Sequence, residues 1–197
     1  FGQLLARDRN PPLSGHQQRW ASQIQDAGWH LLNMINDTLD LSMIESGALR
    51  LAPRTLDVAA MLEGTLSLVL SSAERRGVRL GEPRIDDGAA LVLGDETRVK
   101  QILTNLLSNA VKYNVEGGRV EVRVRAAGAG QVEIQVHDTG LGLTDQQLEG
   151  LFQPFNRLGR EATGVEGTGI GLVISRRLAE LMGGSLEARS AAGNGST

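Results

Sequence analysis

Two asparagines and a lysine share the polar stripe of one predicted helix: Asn105, Asn109 and Lys112. Their spacing of four and then three residues places the side chains on one helical face. A solvent-facing stripe is usually rich in Lys and Glu, because short amides favour a helix little. Two amide carbonyls and an ammonium group on one face suit a phosphate group and its metal ion. This helix alone fits an ordinary solvated face equally well.

Asp138 ends a stretch in which Val132, Ile134 and Val136 alternate with polar residues. A strand period of two places the Asp138 carboxylate on the same inward side as these valines and isoleucine. A buried carboxylate needs hydrogen-bond donors, and the glycines of Thr139-Gly140-Leu141-Gly142 let a flat ligand approach the backbone. The carboxylate would then accept a hydrogen bond from an exocyclic amine such as that of adenine. Taken alone, the pattern also fits a turn or N-cap aspartate at a strand end.

A second glycine cluster, Gly167-Thr168-Gly169-Ile170-Gly171-Leu172, directly precedes a predicted helix. Free backbone N–H groups at a helix N-terminus favour phosphate oxygens. The cluster is not a dinucleotide-binding fingerprint, because Leu172 stands where the third glycine is required. It is not a P-loop either, since the chain contains no Gly-Lys-Ser/Thr sequence. By itself the cluster is explained as well by a flexible loop that leads into a helix.

Hydrophobic periodicity and capping residues predict the elements that carry these groups. Helices are predicted over residues 1–7, 15–46, 57–77, 95–114, 144–152 and 170–182. The third helix is expected to bury Val58, Met61, Leu62, Leu66, Val69 and Leu70. Extended segments are predicted at residues 49–51, 55–58, 78–80, 90–93 and 185–190, with a hairpin of residues 120–124 and 132–136 about a turn at 128–130.

The second helix carries more apolar surface than one isolated helix can bury. Its apolar stripe is broader than that of an ordinary amphipathic helix. The stripe comprises Trp20, Ile24, Leu31, Leu32, Met34, Ile35, Leu39 and Leu41. This predicts packing on the first helix and on a second copy of the hairpin. The first residues of the chain already follow the apolar spacing of a helix, so we expect the chain to be part of a longer protein.

Composition excludes several classes of protein. The chain of 197 residues has a net charge of −3, few aromatic residues and no basic cluster, which argues against nucleic-acid binding. The absence of cysteine excludes disulfides and thiolate metal sites and fits a reducing compartment. No apolar run reaches membrane-spanning length. We therefore expect a cytoplasmic segment without direct membrane contact.

The order of these motifs resembles the ATP-binding domain of sensor histidine kinases, which shares the gyrase-type (Bergerat) fold. The asparagine helix is followed by the Asp138 motif, by Leu151-Phe152-Gln153-Pro154-Phe155, and by the glycine cluster. The resemblance implies an α+β fold: a helical hairpin, half of a dimeric four-helix bundle, then a two-layer α/β sandwich with a mixed sheet. It divides the chain into a dimerisation and phosphotransfer hairpin (1–48) and an ATP-binding catalytic domain (49–197).

The resemblance also implies a role for each motif residue. Asn109 would ligate Mg²⁺, Asn105 would lie near the phosphates, and Lys112 would contact a phosphate with Tyr113 against the nucleotide. Asp138 would receive the adenine amine beside the hinge glycines Gly140 and Gly142. Phe152 and Phe155 would pack a mobile lid over residues 156–169, Arg157 would reach the phosphates, and the segment from Gly167 through Thr168, Gly169, Ile170 and Gly171 to Leu172 would hold them. The Thr197 hydroxyl would support Asp138.

The phosphoacceptor motif of the family, a histidine followed by an acid and then Thr-Pro or Asn-Pro, has no match here. His16 and His30 lack the following acid, and His137 is predicted on a strand, so a structural role is expected for each. The acceptor histidine would lie about three helical turns before Phe1. This chain is therefore expected to bind Mg·ATP without phosphorylating itself.

The resemblance implies that the parent protein autophosphorylates a histidine and passes the phosphoryl group to an aspartate of a response regulator receiver domain. Three alternatives are kept. The first is a catalytically degenerate module that only dimerises and binds ATP. The second is a gyrase-type ATPase, which would need a glutamate at position 105 to activate water. The third is a serine kinase of the same fold, against which the helical hairpin argues.

Overall fold

The computed structural model describes residues 13–128, 130–159 and 167–197. In these ranges a long N-terminal helix leads into a mixed α/β unit. The helix predicted over residues 1–7 lies outside the described residues, as do residue 129 of the hairpin turn and residues 160–166 of the predicted lid.

Helix α1 (Gly15–Glu45) begins and ends where the sequence predicts. Ser14 and Gln17 form a reciprocal capping box, in which the Ser14 N–H donates to Gln17 Oε1 at 2.9 Å. Gly47 follows the C-cap with a φ of 69°, a conformation that glycine adopts without a steric penalty. The predicted stripe is uncovered in the single chain: Trp20, Ile24, Leu31, Ile35 and Leu39 are between 49% and 65% exposed.

Strand β5 (Arg119–Ala126) is the centre of a four-stranded mixed sheet. Strand β6 (Val132–Asp138) pairs with it in antiparallel register, and the short strands β2 (Arg79–Leu80) and β3 (Arg84–Ile85) pair with it in parallel. Strands β1 (Arg54–Asp57) and β4 (Leu91–Gly94) form a separate antiparallel pair. The predicted hairpin is confirmed, with Val120, Val122 and Val124 buried.

Helices α2 (Val58–Arg75) and α3 (Glu96–Lys112) cover the inner face of this sheet. The main core joins their apolar sides to the β5 valines, and its fully buried members include Val58, Leu62, Leu103, Leu107, Val111, Val120, Val122 and Val124. Helix α5 (Gly171–Leu181) packs on α3, and the short helix α4 (Asp145–Glu149) follows β6. The unit therefore has the predicted two layers.

A second, smaller core joins α1 to α5. Ile44 is buried with Ile170, Ile174 and Leu178, and the partly buried Leu41, Leu49 and Ile102 pack against them. Leu41 and Ile44 connect the C-terminal part of α1 to this core.

Several details differ from the sequence prediction. Residues 49–51 form no strand, and Leu66 is only partly buried. Leu70 is 48% exposed, because the buried stripe of α2 runs through Val69 and Ala73 and turns Leu70 outward. Helix α4 ends at Glu149, since the chain turns at Gly150, so Leu151 and Phe152 follow the helix. Residues 185–190 form no strand and pair only through a bridge from Ser190 to Ser196. The short strand β3 was not predicted.

Candidate functional site

The polar face of α3 is covered by α5 and is not simply solvated. The Asn105 side chain donates from Nδ2 to Ser175 Oγ at 2.9 Å, and Asn109 Nδ2 lies 3.4 Å from Asn105 Oδ1. Both asparagines are half-buried, whereas Ser175 is 2% exposed. A β-carbon on Gly171 would lie 2.5 Å from Asn105 Oδ1, so glycine at this position lets α5 approach the amide closely.

Lys112 ends α3 next to the glycine cluster. Its Nζ lies so close to Gly167 that a β-carbon there would be 2.7 Å away. The same ammonium group is 5.2 Å from the centroid of the Tyr113 ring, within the range of a cation–π interaction. The lysine, the tyrosine ring and the start of the glycine cluster therefore lie together at the C-terminal end of α3.

The Asp138 motif packs against this same end of α3. Asp138 pairs with the buried Val120 in the β5–β6 register and shares its inward face, as predicted, although it is half-buried. Its Oδ1 accepts a hydrogen bond from the Gly140 N–H at 2.8 Å. The Leu141 N–H donates to the Tyr113 carbonyl at 3.1 Å, and a β-carbon on Gly140 would lie 2.5 Å from that carbonyl oxygen. Gly140 must therefore be a glycine for the motif to meet the helix.

The C-terminal residues of the chain support the Asp138 backbone. The Asp138 N–H donates to the Ser196 carbonyl at 2.9 Å, and the Ser196 N–H returns a bond of 3.2 Å. The Thr197 hydroxyl lies 3.0 Å from His137 Nδ1. Support of the Asp138 carboxylate by Thr197 stays a prediction. Gly142 adopts a φ of 63° against Ala191, a close approach that a side chain would block.

The phenylalanine motif adjoins the glycine cluster. A β-carbon on Gly169 would meet the Phe155 backbone at 3.0 Å, and Gly169 has a φ of 72°. Phe155 itself has a φ of 62° and is 62% exposed, an uncommon backbone conformation for an aromatic residue. The Arg176 guanidinium lies 4.9 Å from the centroid of the Phe152 ring. Arg157 is half-buried in the following turn.

Helix α1 contacts the same region through two aspartates that the sequence analysis did not single out. Asp37 Oδ2 accepts a hydrogen bond of 2.8 Å from the Thr168 hydroxyl. Asp40 accepts from Arg98 at 3.1 Å and from Gln101 at 2.8 Å, and so ties α1 to the start of α3. Burial raises the pKa of the Asp37 carboxyl above its ordinary value. The hydrogen bond from Thr168 partly offsets this by lowering the pKa, and the negative charge of Asp40 raises it further.

Asp95 fixes the N-terminus of α3. Its Oδ1 accepts from the Arg98 N–H at 3.1 Å as the N-cap, and Oδ2 accepts from the Ala52 N–H at 2.9 Å. These hydrogen bonds, led by the one from Ala52, lower the pKa of the carboxyl. One side chain thus positions both the site helix and the segment that follows α1.

The contributors missed by sequence reasoning include Ser175, Gly195 and Asp37. Ser175 lies four residues after Gly171, a spacing that could have placed both on the α5 face toward α3. Gly195 has a φ of 77° and lies against the Asp138 carbonyl. The sequence Gly193-Asn194-Gly195 is typical of a turn and could have pointed to this position. Asp37 has no local signal, because its partner is 131 positions away.

Within residues 13–128, 130–159 and 167–197, no group of three or more His, Cys, Asp or Glu side chains could hold a metal ion. Mg²⁺ is commonly bound by few protein oxygen atoms together with substrate phosphates. The amide oxygens of the asparagines fit that chemistry, because Mg²⁺ prefers oxygen ligands. Each helix among the described residues is too short or too polar to span a lipid bilayer.

Known proteins resemble both the sequence and the fold. The virulence sensor protein BvgS of Bordetella bronchiseptica is 42% identical over 191 residues, which cover 94% of this chain and 15% of BvgS. Full-length ShkA in complex with AMPPNP aligns with a TM-score of 0.80 and 28% identity, over 99% of this chain and 40% of ShkA. The histidine kinase ThkA in complex with the response regulator TrrA aligns with a TM-score of 0.70 and 20% identity, over 99% and 54%.

The chain thus spans less than two thirds of each of these proteins. The structures of ShkA and ThkA share its helical N-terminal region and mixed-sheet α/β unit, so the predicted fold class is confirmed. Residues 94–197, just over half of the chain, match the family model itself. This protein is a homologue of sensor histidine kinases and belongs to the family of histidine kinase-, DNA gyrase B- and HSP90-like ATPases.

Proposed function

We propose that this chain is the ATP-binding catalytic part of a sensor histidine kinase, which transfers the γ-phosphoryl group of ATP to a histidine. The observation that carries the proposal is the meeting of three motifs along α3. Gly171 lies against Asn105, Gly167 against Lys112, and Gly140 against Tyr113, so the polar face of one helix is bordered by both glycine-rich segments. The proposal is that one elongated ligand touches all of these groups.

The adenine end of the site would lie at Asp138. Its carboxylate would offer an acceptor for the adenine amine, and Gly140 and Gly142 pack the loop beside it against the backbone of Tyr113 and Ala191. Tyr113 follows the last turn of α3 and would border the nucleotide on the same side. The contact between Gly140 and Tyr113 supports this assignment, because it brings the end of β6 next to the end of α3.

The phosphate end would lie between Lys112 and the N-terminus of α5. The lysine ammonium next to Gly167 neutralises phosphate charge, and the backbone N–H groups of residues 167–172 are donors at a helix start. Thr168, Ile170 and Leu172 belong to this segment. Asn105 faces it from α3, and we assign Arg157 and Phe155 to the edge that closes over the phosphates.

A metal ion would be held by Asn109. Its amide oxygen would supply one oxygen ligand, and the phosphates of ATP would supply others. Mg²⁺, when bound there, would neutralise negative charge on the transferred phosphoryl group. Asn105, Lys112 and the glycine segment orient the γ-phosphate for in-line attack, which is the main task in phosphoryl transfer.

The nucleophile would be a histidine ring nitrogen supplied by another part of the protein. His16 is exposed and its ring packs 5.9 Å from that of Trp20, while His137 faces Thr197. Asn105 is an amide and cannot activate water as a base, which argues against a gyrase-type hydrolysis. The alternative of a catalytically degenerate module is tested by incubating a longer chain, which includes the helix expected before Phe1, with labelled ATP. A degenerate module would take up no label.

We further infer two partners and a domain boundary. Residues 1–48 would form the dimerisation hairpin, because the exposed stripe of α1 needs a second apolar surface, and residues 49–197 the catalytic domain. An aspartate of a response regulator receiver domain would accept the phosphoryl group, as the complex of ThkA with TrrA suggests for this family. The reaction uses ATP, which favours a cytoplasmic location.

Asp138→Ala tests the proposed ligand. Titration calorimetry with AMPPNP and Mg²⁺ is expected to show nucleotide binding by the wild type and roughly 5- to 150-fold weaker binding by the variant, from losing about 1–3 kcal/mol. Asp145→Ala, which changes an exposed aspartate at the start of α4, is the control and should bind normally. Equal affinity of the two variants would remove Asp138 from adenine recognition.

A further inference from the structure

Asn114 directly follows the C-cap of α3, and its side chain is held by backbone groups of three other residues. Nδ2 donates to the Ala110 carbonyl at 3.0 Å and to the Arg119 carbonyl at 3.1 Å. Oδ1 accepts from the Val115 N–H at 2.9 Å. A carbonyl oxygen only accepts and a backbone N–H only donates, so these partners fix which way each end of the amide faces. The side chain therefore clamps the last turn of α3 to the first residue of β5.

The same Arg119 carbonyl also holds the loop of residues 139–142, which follows the aspartate proposed for adenine. The Thr139 N–H donates to this carbonyl at 3.1 Å. The Arg119 N–H donates in return to the Thr139 hydroxyl at 2.9 Å. On the helix side, the Leu141 N–H donates to the carbonyl of Tyr113, the residue before Asn114, at 3.1 Å. The loop is thus fastened both to the helix end and to the strand start, which the Asn114 amide holds together.

Glycine on each side gives Asn114 the room that it occupies. A β-carbon on Gly118, which is buried just before β5, would overlap Asn114 Oδ1. A β-carbon on Gly140, in the loop, would lie 2.9 Å from Asn114 Cα. Both approaches are closer than a real β-carbon tolerates, so the clamp depends on glycine at both positions.

We infer that Asn114 is a positioning residue for base recognition, because its amide holds Asp138 and the loop after it at a fixed distance from Tyr113. This inference rests on the proposed function, in which the Asp138 carboxylate accepts the adenine amine. A site rejects a base without that amine to the extent that its carboxylate is then left unpaired. A loosened loop lets the carboxylate turn to water instead. Loss of the Asn114 clamp therefore reduces discrimination between bases with and without the amine.

The contribution of the adenine amine to affinity separates positioning from a merely structural role. We would measure Kd with Mg²⁺ for ATP and for purine riboside 5′-triphosphate, which lacks only the exocyclic amine. The wild type should bind the second nucleotide about 5- to 150-fold more weakly. Asn114→Ala should reduce this ratio of Kd values about 3- to 5-fold, mainly by weakening ATP binding. Asn33→Ala, which changes an exposed asparagine on α1, is the matched control and should leave the ratio unchanged.

Two further variants decide the route of the effect. Asn114→Asp has the same shape and keeps an acceptor for the Val115 N–H, but it turns an oxygen toward the Ala110 and Arg119 carbonyls. It should reduce the ratio as Asn114→Ala does. On an Asp138→Ala background, Asn114→Ala should change the ratio no further, because Asn114 acts through the Asp138 carboxylate.

One measurement on the wild type does not depend on whether a variant folds. Each of the two side-chain N–H protons of Asn114 has a carbonyl partner, so both should exchange with solvent more slowly than those of the exposed Asn33. Exchange at equal rates would overturn the clamp.

A wild-type ratio in a folded Asn114 variant overturns the inference, and so does an equal weakening of both nucleotides. An effect of the same size on the Asp138→Ala background would overturn the route through Asp138. If the wild type binds neither nucleotide, or binds both equally well, the proposed adenine site fails and the inference fails with it. Discrimination by the wild type that persists in the Asn114 variants fails the inference alone.

Discussion

The Thr168 hydroxyl donates a hydrogen bond of 2.8 Å to Asp37 Oδ2, which joins the long helix α1 to the glycine cluster 131 positions further along the chain. The same hydroxyl accepts from the Ile170 N–H at 3.2 Å and so shapes the turn that leads into α5. A second link from α1, Asp40 to Arg98 and Gln101, reaches the start of α3. Helix α1 therefore holds both elements that supply the proposed phosphate end.

Removing the charge of Asp37 should strengthen nucleotide binding. The carboxylate lies next to the segment proposed for phosphates and repels them, whereas an asparagine keeps an acceptor for Thr168. Asp37→Asn should lower the Kd for Mg·AMPPNP about 2- to 5-fold in low salt, and less in high salt. The control is Asp26→Asn, an exposed aspartate on the same helix. An identical response of both variants would contradict a local charge effect.

Asp95 should stabilise the fold in a pH-dependent way. Its pKa is lowered below 3.8 in the folded chain, so its stabilisation is present above 3.8 and is lost as the pH falls toward the folded value. Asp95→Asn keeps an N-cap and should flatten this part of the curve of unfolding free energy against pH. Asp95→Ala should lose about 2 kcal/mol at neutral pH, from the cap and the Ala52 N–H. If the unfolding free energy of Asp95→Asn depends on pH as that of the wild type does, Asp95 is not the source of this pH dependence.

Gly171→Ala should weaken the site while leaving the fold intact. A β-carbon 2.5 Å from Asn105 Oδ1 must push the asparagine away from Ser175, and we expect nucleotide affinity to fall at least about tenfold. Gly64→Ala is the control: nothing lies within 4 Å of a β-carbon there, and Gly64 lies inside α2. That change should raise the unfolding free energy by about 0.5–1 kcal/mol. Normal nucleotide affinity in Gly171→Ala would show that the Gly171–Asn105 contact is irrelevant to binding.

Dimerisation should depend on the exposed stripe of α1. Ile24→Glu with Ile35→Glu places two charges on this stripe, where the side chains are 65% and 49% exposed in the single chain. Sedimentation velocity is expected to show a dimer for the wild type and a monomer for the double variant. Leu68→Glu alters a leucine that is 69% exposed on α2 and should not change the mass. A monomeric wild type would contradict the proposed interface.

Local patterns were sufficient for most of the elements and insufficient for the contacts between them. The capping box at Ser14 and the alternation of Val120, Val122 and Val124 depend on neighbours in sequence, and both are confirmed. Asn105 could be singled out by its type and spacing. Its hydrogen bond to Ser175 could not, because it depends on how α5 packs across α3.

The same limit explains the errors of prediction. Residues 185–190 look like a strand by composition, but β6 takes its last bridge from Ser196 instead. Leu70 is apolar and near the stripe of α2, yet the exact rotation of the helix on the sheet exposes it. Both outcomes are set by tertiary packing, which overrides local preference.

Hydrogen exchange of the whole chain with and without Mg·AMPPNP tests the central claim most directly, because the claim is that one ligand touches several separate segments. The account predicts that saturating nucleotide slows amide exchange together, and at one common midpoint concentration, in residues 105–114, 138–142 and 167–172. Absence of binding, or protection confined to one of these segments, would contradict a shared nucleotide site.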